Sequence, residues 1–371
     1  MGPSFPGRLA DYLPAALSAA LLVLIALLFA GSGPARGILH VEGLDRWIAR
    51  HWFLGHRFFH LDGVFLPFVL GFLLRRIRAW PASLGDGGFI GRCALVIGVA
   101  LLPFSVALAI PPGLVGGGSL ALMAAFLAVT AGGVLSIGWL LGFRDERVPV
   151  AVACALPGVG MAGAAGGRGI WNQSESVVQW MVLSLYVVGI VNALTVLGIS
   201  TWLNIGSAGH GVWLGVSAAG LGPLRAVALL IDPGSPEGIS TALAAGEEVF
   251  RLRILGFPFL VFALAVVLWF WRSSPWEKGG RWGLLTVAIG GGAASLLVLN
   301  DGRVPLPLAD WLSWIGRFLL AAGMFHLGVL PTRLSWRREG RYVAGLVALT
   351  GVTALFVGLA AGAVLSRSLT P

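Results

Sequence analysis

The chain consists of long apolar segments separated by short connections, and this pattern constrains the fold more than any other feature of the sequence. A bilayer core of about 30 Å is crossed by roughly 20 apolar residues in a helix, and only helices or closed barrels satisfy every backbone amide there. The segments have helix length, which predicts an all-α polytopic membrane protein and excludes a barrel. A soluble globular protein is also excluded, because 57% of the 371 residues are hydrophobic and 11% are charged.

The apolar segments predict about eleven transmembrane helices. The first is interpreted as a retained helix, because about 18 apolar residues are long for a signal peptide. Residues 31–59 mix arginines with aromatic residues and are expected to lie on the membrane surface. The predicted spans are Leu13 to Ala30, His60 to Leu74, Phe89 to Ile110, Ser119 to Gly142, Val148 to Gly167, Ser176 to Leu203, Gly209 to Ile231, Val249 to Trp271, Trp282 to Leu299, Trp311 to Leu330 and Tyr342 to Leu365.

The net charge of +9 comes from basic residues spread among short connections, so it indicates topology and not nucleic-acid binding. When connections are assigned to alternate sides, Lys and Arg are more numerous on the side of the amino terminus. The positive-inside rule then predicts a multi-pass protein of the bacterial inner membrane with a cytoplasmic amino terminus. Cys93 and Cys154 both lie in apolar segments, so neither a disulfide framework nor a cysteine metal cluster is indicated.

Two segments share one layout: each opens with histidine and closes with arginine, from His60 to Arg75 and from His210 to Arg225. This predicts two five-helix repeats inserted in opposite orientations, with the first span outside them. The predicted domains are 1–59, an N-terminal helix with the interfacial segment, 60–203, the first repeat, and 204–371, the second, inverted repeat.

The fourth helix of each predicted repeat is interrupted by small residues and proline, at residues 155–167 and 320–331. Proline costs about 3 kcal/mol in a helix interior and glycine about 1 kcal/mol, so both helices are predicted to be broken. A broken helix exposes the positive end of a half-helix, which can hold an anion. The alternative is that the small residues only allow close helix packing.

Three further sites carry open alternatives. Arg225 can neutralise an anion or extend to the surface. His326 can bind substrate, relay a proton or ligate a metal, or it can be a hydrogen-bonded core histidine. His56 and His60 share a helix face near His51, but only Asp62 could support them, so metal binding is not favoured. No cofactor is expected. The sequence shows neither a nucleophile with an adjacent base nor a phosphate-binding loop, so an enzyme is not indicated.

Four segments resemble the YeiH-type family of proposed sulfate exporters. They are residues 70–76, residues 85–88 followed by Arg92, Trp213 to Gly215, and residues 316–328. The resemblance runs in order over roughly residues 60–365. It implies the inverted five-helix repeat of the bile-acid sodium symporter class, with two broken helices crossing near mid-membrane.

The chain departs from the family at its polar motifs. Where the family carries a Cys-Gly-x-Ser-Ala type motif, this chain has Pro157 to Met161, and where the family has Ile-His-Asp, it has residues 218–220, Ala-Ala-Gly. Ionisable groups inside a membrane are costly and normally functional. Their loss implies altered ion coupling, a different substrate or the loss of transport.

The leading hypothesis is a secondary transporter that exports a small anion such as sulfate or a sulfonate by alternating access. The expected partners are a small inorganic or organic anion and the lipid bilayer, with no nucleic acid, and self-association or membrane-complex subunits stay open. The alternative is a transport-inactive relative that acts as a structural subunit of a larger membrane complex; a membrane enzyme that uses its histidines ranks third. The predicted substrate-binding residues are Pro157, Gly158, Gly160, Gly215, Ser217, Arg225, Met324, His326 and Gly328.

Overall fold

The fold was examined in a computed structural model, which is helical throughout the part of the chain it describes. No strand occurs among these residues, so the predicted all-α class is confirmed for them. The first predicted span, the interfacial segment 31–59 and the histidines at 51, 56 and 60 lie outside the described residues. The structure describes residues 65–76, 88–107, 117–142, 147–154, 160–171, 173–203, 205–218, 220–232, 240–271, 280–299, 305–330 and 339–369.

The helices are numbered here in chain order. They are α1 (Phe65–Arg76), α2 (Gly88–Leu101), α3 (Phe104–Ala107), α4 (Gly117–Leu140), α5 (Arg147–Cys154), α6 (Met161–Ile170), α7 (Glu175–Ser200), α8 (Gly206–Ser217), α9 (Leu221–Ile231), α10 (Thr241–Trp271), α11 (Gly280–Leu285), α12 (Gly292–Leu299), α13 (Leu306–Val329) and α14 (Arg341–Leu369). A π-helix, Thr286–Gly291, joins α11 to α12.

Five helices of the described part are long and apolar enough to cross a membrane, which supports a multi-pass membrane protein. Their outward faces carry large exposed apolar side chains, as expected of surfaces that contact lipid. These spans are Glu175–Ser200, Thr241–Val266, Arg281–Leu299, Pro307–Val329 and Arg341–Val364. The total of about eleven and the two-repeat layout remain predictions.

Glycines bring α2 and α13 into close antiparallel contact. A Cβ added at Gly98 would lie 2.8 Å from the backbone nitrogen of Leu320, and one added at Gly323 would lie 2.6 Å from Leu95 Cγ. Later residues of α2 therefore contact earlier residues of α13, so the two helices are antiparallel. Small residues at such contacts let two helix backbones approach within membranes, where packing drives association.

The helix α8 runs parallel to α10. A Cβ added at Gly211 would meet the carbonyl oxygen of Ala242, and one added at Gly215 would lie 2.6 Å from the carbonyl oxygen of Gly246. A step of four residues toward the carboxyl end of α8 thus matches a step of four residues toward the carboxyl end of α10. The chain therefore travels in the same direction in both helices.

The helix α9 runs back along α10 in the opposite direction. Arg225 Nε donates to Glu247 Oε1 at 2.6 Å near the start of α9. At its end, Asp232 Oδ2 accepts a hydrogen bond from the Thr241 amide at 2.9 Å. The start of α9 thus lies beside a later residue of α10 than the end of α9 does, so the two helices run in opposite directions.

Together α8 and α9 form a helical hairpin, whose tip lies between Ser217 and Leu221 and whose two outer ends lie on one side of the bundle. The helices have 12 and 11 residues, so each spans about 17 Å, too short to cross a bilayer alone. The prediction of a single crossing from Gly209 to Ile231 is therefore wrong. The side assigned to every later connection changes with it, and the cytoplasmic amino terminus stays a prediction.

The helices α5 and α6 also lie side by side. A Cβ added at Gly167 would lie 3.4 Å from Ala151 Cβ, whereas one straight helix would separate these residues by about 24 Å. Gly160 caps the start of α6 with φ 62°, a backbone conformation that favours glycine. Ala151 and Gly167 therefore do not lie on one continuous helix, which agrees with the break that the sequence predicted here.

The hairpin makes a topological prediction. In a variant with Cys93→Ser and Cys154→Ser, single cysteines at Ser207, at the outer end of α8, and at Thr241, just after the outer end of α9, should react with an impermeant thiol reagent from the same side of a membrane vesicle. A cysteine at Ser174, at the start of α7, should react from the opposite side, because α7 crosses between them. Labelling of Thr241→Cys from the Ser174 side would contradict the hairpin.

The glycine contact between α2 and α13 makes a stability prediction. Gly98→Ala should destabilise the protein by about 1–3 kcal/mol, because the new Cβ meets backbone atoms that cannot move aside. Gly132→Ala on α4 is the matched control, since nothing lies within 4 Å of its added Cβ. The midpoint of thermal unfolding in detergent measures both. Equal midpoints for the two variants would argue against a tight contact.

Candidate functional site

The hairpin tip interrupts the helical backbone inside the bundle. The helix α8 ends at Ser217, and Ala218 is extended, with φ −72° and ψ 137°. Gly220 is also extended, and the helix resumes at Leu221. The last carbonyls of α8 therefore lack the usual donors four residues ahead. In an interior without water, such carbonyls need other donors.

Arg253 of α10 supplies donors to the hairpin tip. Its Nη1 donates to the carbonyl oxygens of Gly215 at 2.6 Å and Ala218 at 2.8 Å. The side chain is fully buried, and its guanidinium carbon lies 5.0 Å from the centre of the Phe250 ring. Arg253 thus places a cation at the carboxyl end of α8, where the helix dipole is negative.

Asn192 of α7 fastens the same tip to two neighbouring helices. Its Nδ2 donates to the carbonyl oxygen of Ser217 at 3.1 Å and to that of Gly351 in α14 at 3.2 Å. The Ser217 hydroxyl donates back to the Trp213 carbonyl at 2.8 Å. The Trp213 indole in turn donates to the carbonyl of Leu355 at 2.8 Å. Polar side chains from α7 and α10 thus hold the unwound segment in one conformation.

The tip combines two sources of positive potential. One is the guanidinium of Arg253, and the other is the amino end of α9, where the helix dipole is positive. Both act in an interior of low dielectric constant, where charge interactions are stronger than in water. Together they oppose the negative end of the α8 dipole at the tip.

Two of the predicted site residues, Gly215 and Ser217, lie at this tip. Gly215 approaches α10 closely, and both residues give their carbonyl oxygens to the polar network. Gly160 lies at the start of α6. Pro157 and Gly158 lie outside the described residues.

The predicted break at residues 320–331 is wrong for the part that the structure describes. The helix α13 is continuous from Leu306 to Val329, and Pro331 lies beyond the described residues. Its small residues serve packing: a Cβ at Gly323 would meet Leu95, and one at Gly328 would meet the backbone of Phe68. The neighbouring helices fill the space that a break would have opened.

The three predicted residues of α13 lie far from the hairpin tip. Gln179 Nε2 donates to the Leu327 carbonyl at 2.7 Å, whereas Asn192 of the same helix contacts Ser217. Thirteen residues separate Gln179 from Asn192, which corresponds to about 20 Å along α7. Met324, His326 and Gly328 are all buried near the level of Gln179. The predicted site residues therefore do not form one group.

Arg225 is a partly exposed residue of α9, with 37% of its side chain accessible. It pairs with Glu247, which also accepts from Arg251 at 3.1 Å. The sequence left two alternatives for Arg225, an anion partner or extension to the surface. In the structure its guanidinium instead forms an ion pair with Glu247. Its charge is matched within the protein.

Sequence reasoning missed Arg253 and Asn192. Arg253 is not among the predicted site residues, although it lies inside the predicted span Val249 to Trp271. That position was the available signal, because a charged residue within a span is a candidate functional residue. No comparable signal marked Asn192, whose importance depends on what faces it across the bundle.

The chain is similar to a UPF0324 membrane protein of Rhizobium meliloti (strain 1021). The two are 26% identical over 278 residues, which cover 72% of this chain and 75% of the relative. UPF0324 is the YeiH-type family, so the similarity agrees with the resemblance drawn from the motifs. No protein-family profile matches the chain, and no solved structure matches it.

The polar network predicts a large stability effect at Arg253. Arg253→Leu should cost about 2–4 kcal/mol, because it leaves the buried carbonyls of Gly215 and Ala218 without donors. Arg251→Leu, two residues away on the same helix, should cost less than about 1 kcal/mol, because its ion pairs are partly exposed. Chemical unfolding in detergent measures the difference. Similar losses in the two variants would show that Arg253 does not support the tip.

Proposed function

We propose that the protein is a secondary carrier of a small anion, such as sulfate or a sulfonate, and that the anion binds at the hairpin tip. The observation that carries the proposal is the extended backbone of Ala218 and Gly220, between α8 and α9, with the buried guanidinium of Arg253 on the carbonyl of Ala218. Irregular backbone at membrane depth persists where it is buried in protein or lines a cavity. Transporters use such interruptions to bind ions and substrates.

A second half-helix supports the proposal. The helix α6 ends beside the start of α7, where Arg168 pairs with Glu175. Since α6 has 10 residues, its amino end lies about 15 Å further into the bundle. Both α6 and α9 pack against α7, so two positive helix ends extend inward along one helix.

The proposal assigns roles to a small set of residues. Arg253 and the amino end of α9 supply positive charge, while Gly215 and Ser217 shape the tip. Gly160 begins the opposing half-helix. Met324, His326 and Gly328 lie away from the tip, and Arg225, near the start of α9, is paired with Glu247, so these four residues are not included in this site.

The remaining features follow from the sequence. The protein is a carrier and not an enzyme, it requires no cofactor, and it resides in the bacterial inner membrane with its amino terminus in the cytoplasm. The missing thiol, hydroxyl and His-Asp motifs of the YeiH-type family imply that its ion coupling differs from that of its relatives.

A specific observation favours a second candidate function, that of a transport-inactive structural subunit. At the hairpin tip, the carbonyls of Gly215, Ser217 and Ala218 are already satisfied by Arg253 and Asn192. A fully satisfied polar network makes a segment rigid. A rigid tip would suit a docking scaffold better than a carrier.

Flux measurements in liposomes test the carrier. The purified protein should move sulfate down its gradient, and Arg253→Lys should reduce the rate by about tenfold, because lysine lacks the planar guanidinium that lies on the Phe250 ring while its Nη1 donates to both carbonyls. Arg251→Lys is the matched control and should transport at the normal rate. Size-exclusion chromatography confirms that both variants are folded.

The two candidate functions predict different outcomes. No movement of sulfate, sulfite or a sulfonate under sodium or proton gradients would contradict the carrier. Mild extraction from the native membrane would then yield the chain together with other polypeptides, as a structural subunit requires. A carrier should elute alone or as a homo-oligomer.

A further inference from the structure

We propose that the protein has a second binding site, for a small oxyanion, formed by Arg168 and His326 where α2, α6 and α13 meet. The site lies about 20 Å along α7 from the hairpin tip, by the spacing of Gln179 and Asn192. It does not depend on transport, because binding can be measured in a protein that carries nothing.

The first turns of α2 contact both the His326 ring and the end of α6, next to Arg168. A Cβ added at Gly91 would meet the ring of His326, so this ring packs directly on α2. A Cβ added at Gly169 would meet Val96 and lie 3.5 Å from the Arg92 carbonyl oxygen, so the end of α6 packs on the same stretch. The charge of Arg168 acts on His326 across this contact.

Each side chain carries a buried polar atom without a hydrogen-bond partner in the described part of the chain. Arg168 is 4% exposed and His326 is 5% exposed. Among the residues that the structure describes, no hydrogen-bond partner lies near Arg168 Nε or His326 Nε2. Buried polar groups are almost always hydrogen-bonded, so an unsatisfied pair in one place indicates a ligand or an ordered water.

The chemistry of these atoms indicates an acceptor with negative charge. The Nε of an arginine can only donate, and the Nε2 of a histidine donates in one of its tautomers. Gln173, in the connection between α6 and α7, adds a third buried nitrogen without a partner in the described part of the chain. A small oxyanion can accept from several such donors at once.

The charges around the site also favour an anion. The guanidinium of Arg92 is close enough to repel that of Arg168, and Glu175 is the carboxylate that pairs with Arg168. Glu175 is 30% exposed, so its charge is partly screened by water. The buried charge of Arg168 is thus opposed by a partly exposed carboxylate, and an anion at its Nε would neutralise it further.

Sulfate titration of the purified full-length protein in detergent tests the site, with sodium chloride holding the ionic strength constant. Calorimetry should detect saturable sulfate binding. His326→Leu should weaken it by about tenfold or more, whereas His326→Gln, which keeps a donor nitrogen, should retain it. Glu175→Gln should tighten binding, because it removes the carboxylate that competes for Arg168. Arg281→Gln is the control for a surface charge.

The outcomes separate this site from the hairpin tip. Binding that survives in Arg253→Lys and is lost in His326→Leu belongs to the second site, even if the liposomes show no flux. Sulfate binding that disappears in Arg253→Lys but has the same affinity in His326→Leu and in Glu175→Gln as in the unsubstituted protein would overturn the second site and leave the carrier intact. An absence of sulfate binding, with water filling the space, would also overturn it. If His326→Leu does not fold, Glu175→Gln still decides, because its expected effect has the opposite sign.

Discussion

The requirement that every buried carbonyl find a donor governs the centre of this protein. The helix α8 stops inside the bundle, where its last carbonyls cannot reach water. The structure meets this requirement with side chains from two other helices, Arg253 from α10 and Asn192 from α7. Without these donors the tip would bury carbonyls that have no partner, which is costly. The hairpin therefore exists because distant parts of the chain satisfy its end.

Close backbone contact is the second constraint, and glycine makes it possible. The contacts of Gly211 and Gly215 with α10 hold the first helix of the hairpin against the segment that carries Arg253. Larger residues there would move α8 away from α10 and take its carbonyls out of reach of the guanidinium. Packing and hydrogen bonding thus depend on each other. The same use of glycine joins α2 to α13 and places the His326 ring against α2.

These constraints produce two separate regions of positive charge. One is the hairpin tip with Arg253, and the other lies where Arg168 and His326 meet near the start of α7. In both, the cation is more than nine-tenths buried, so its influence on an anion is far greater than that of a surface residue. Their separation along α7 corresponds to a large part of the membrane thickness. A protein that moved an anion through this bundle could hold it at either level.

The sequence by itself determined the fold class, the membrane environment and the irregular segment near residue 160, because hydropathy, helix length, proline and glycine are properties of local sequence. It also identified the resemblance to the YeiH-type family, with which the similarity to a UPF0324 membrane protein agrees. Tertiary structure decided the rest. Whether residues 209–231 cross the membrane or return depends on the partners of the tip, and hydropathy does not record direction. Likewise, the glycines near residue 323 predicted a break in the helix, yet Leu95 fills the space beside Gly323. The charge of Arg225 is matched by Glu247, a residue of another helix. Contacts between residues far apart in sequence carry no local signal, and those contacts placed Arg253 and Asn192 at the tip.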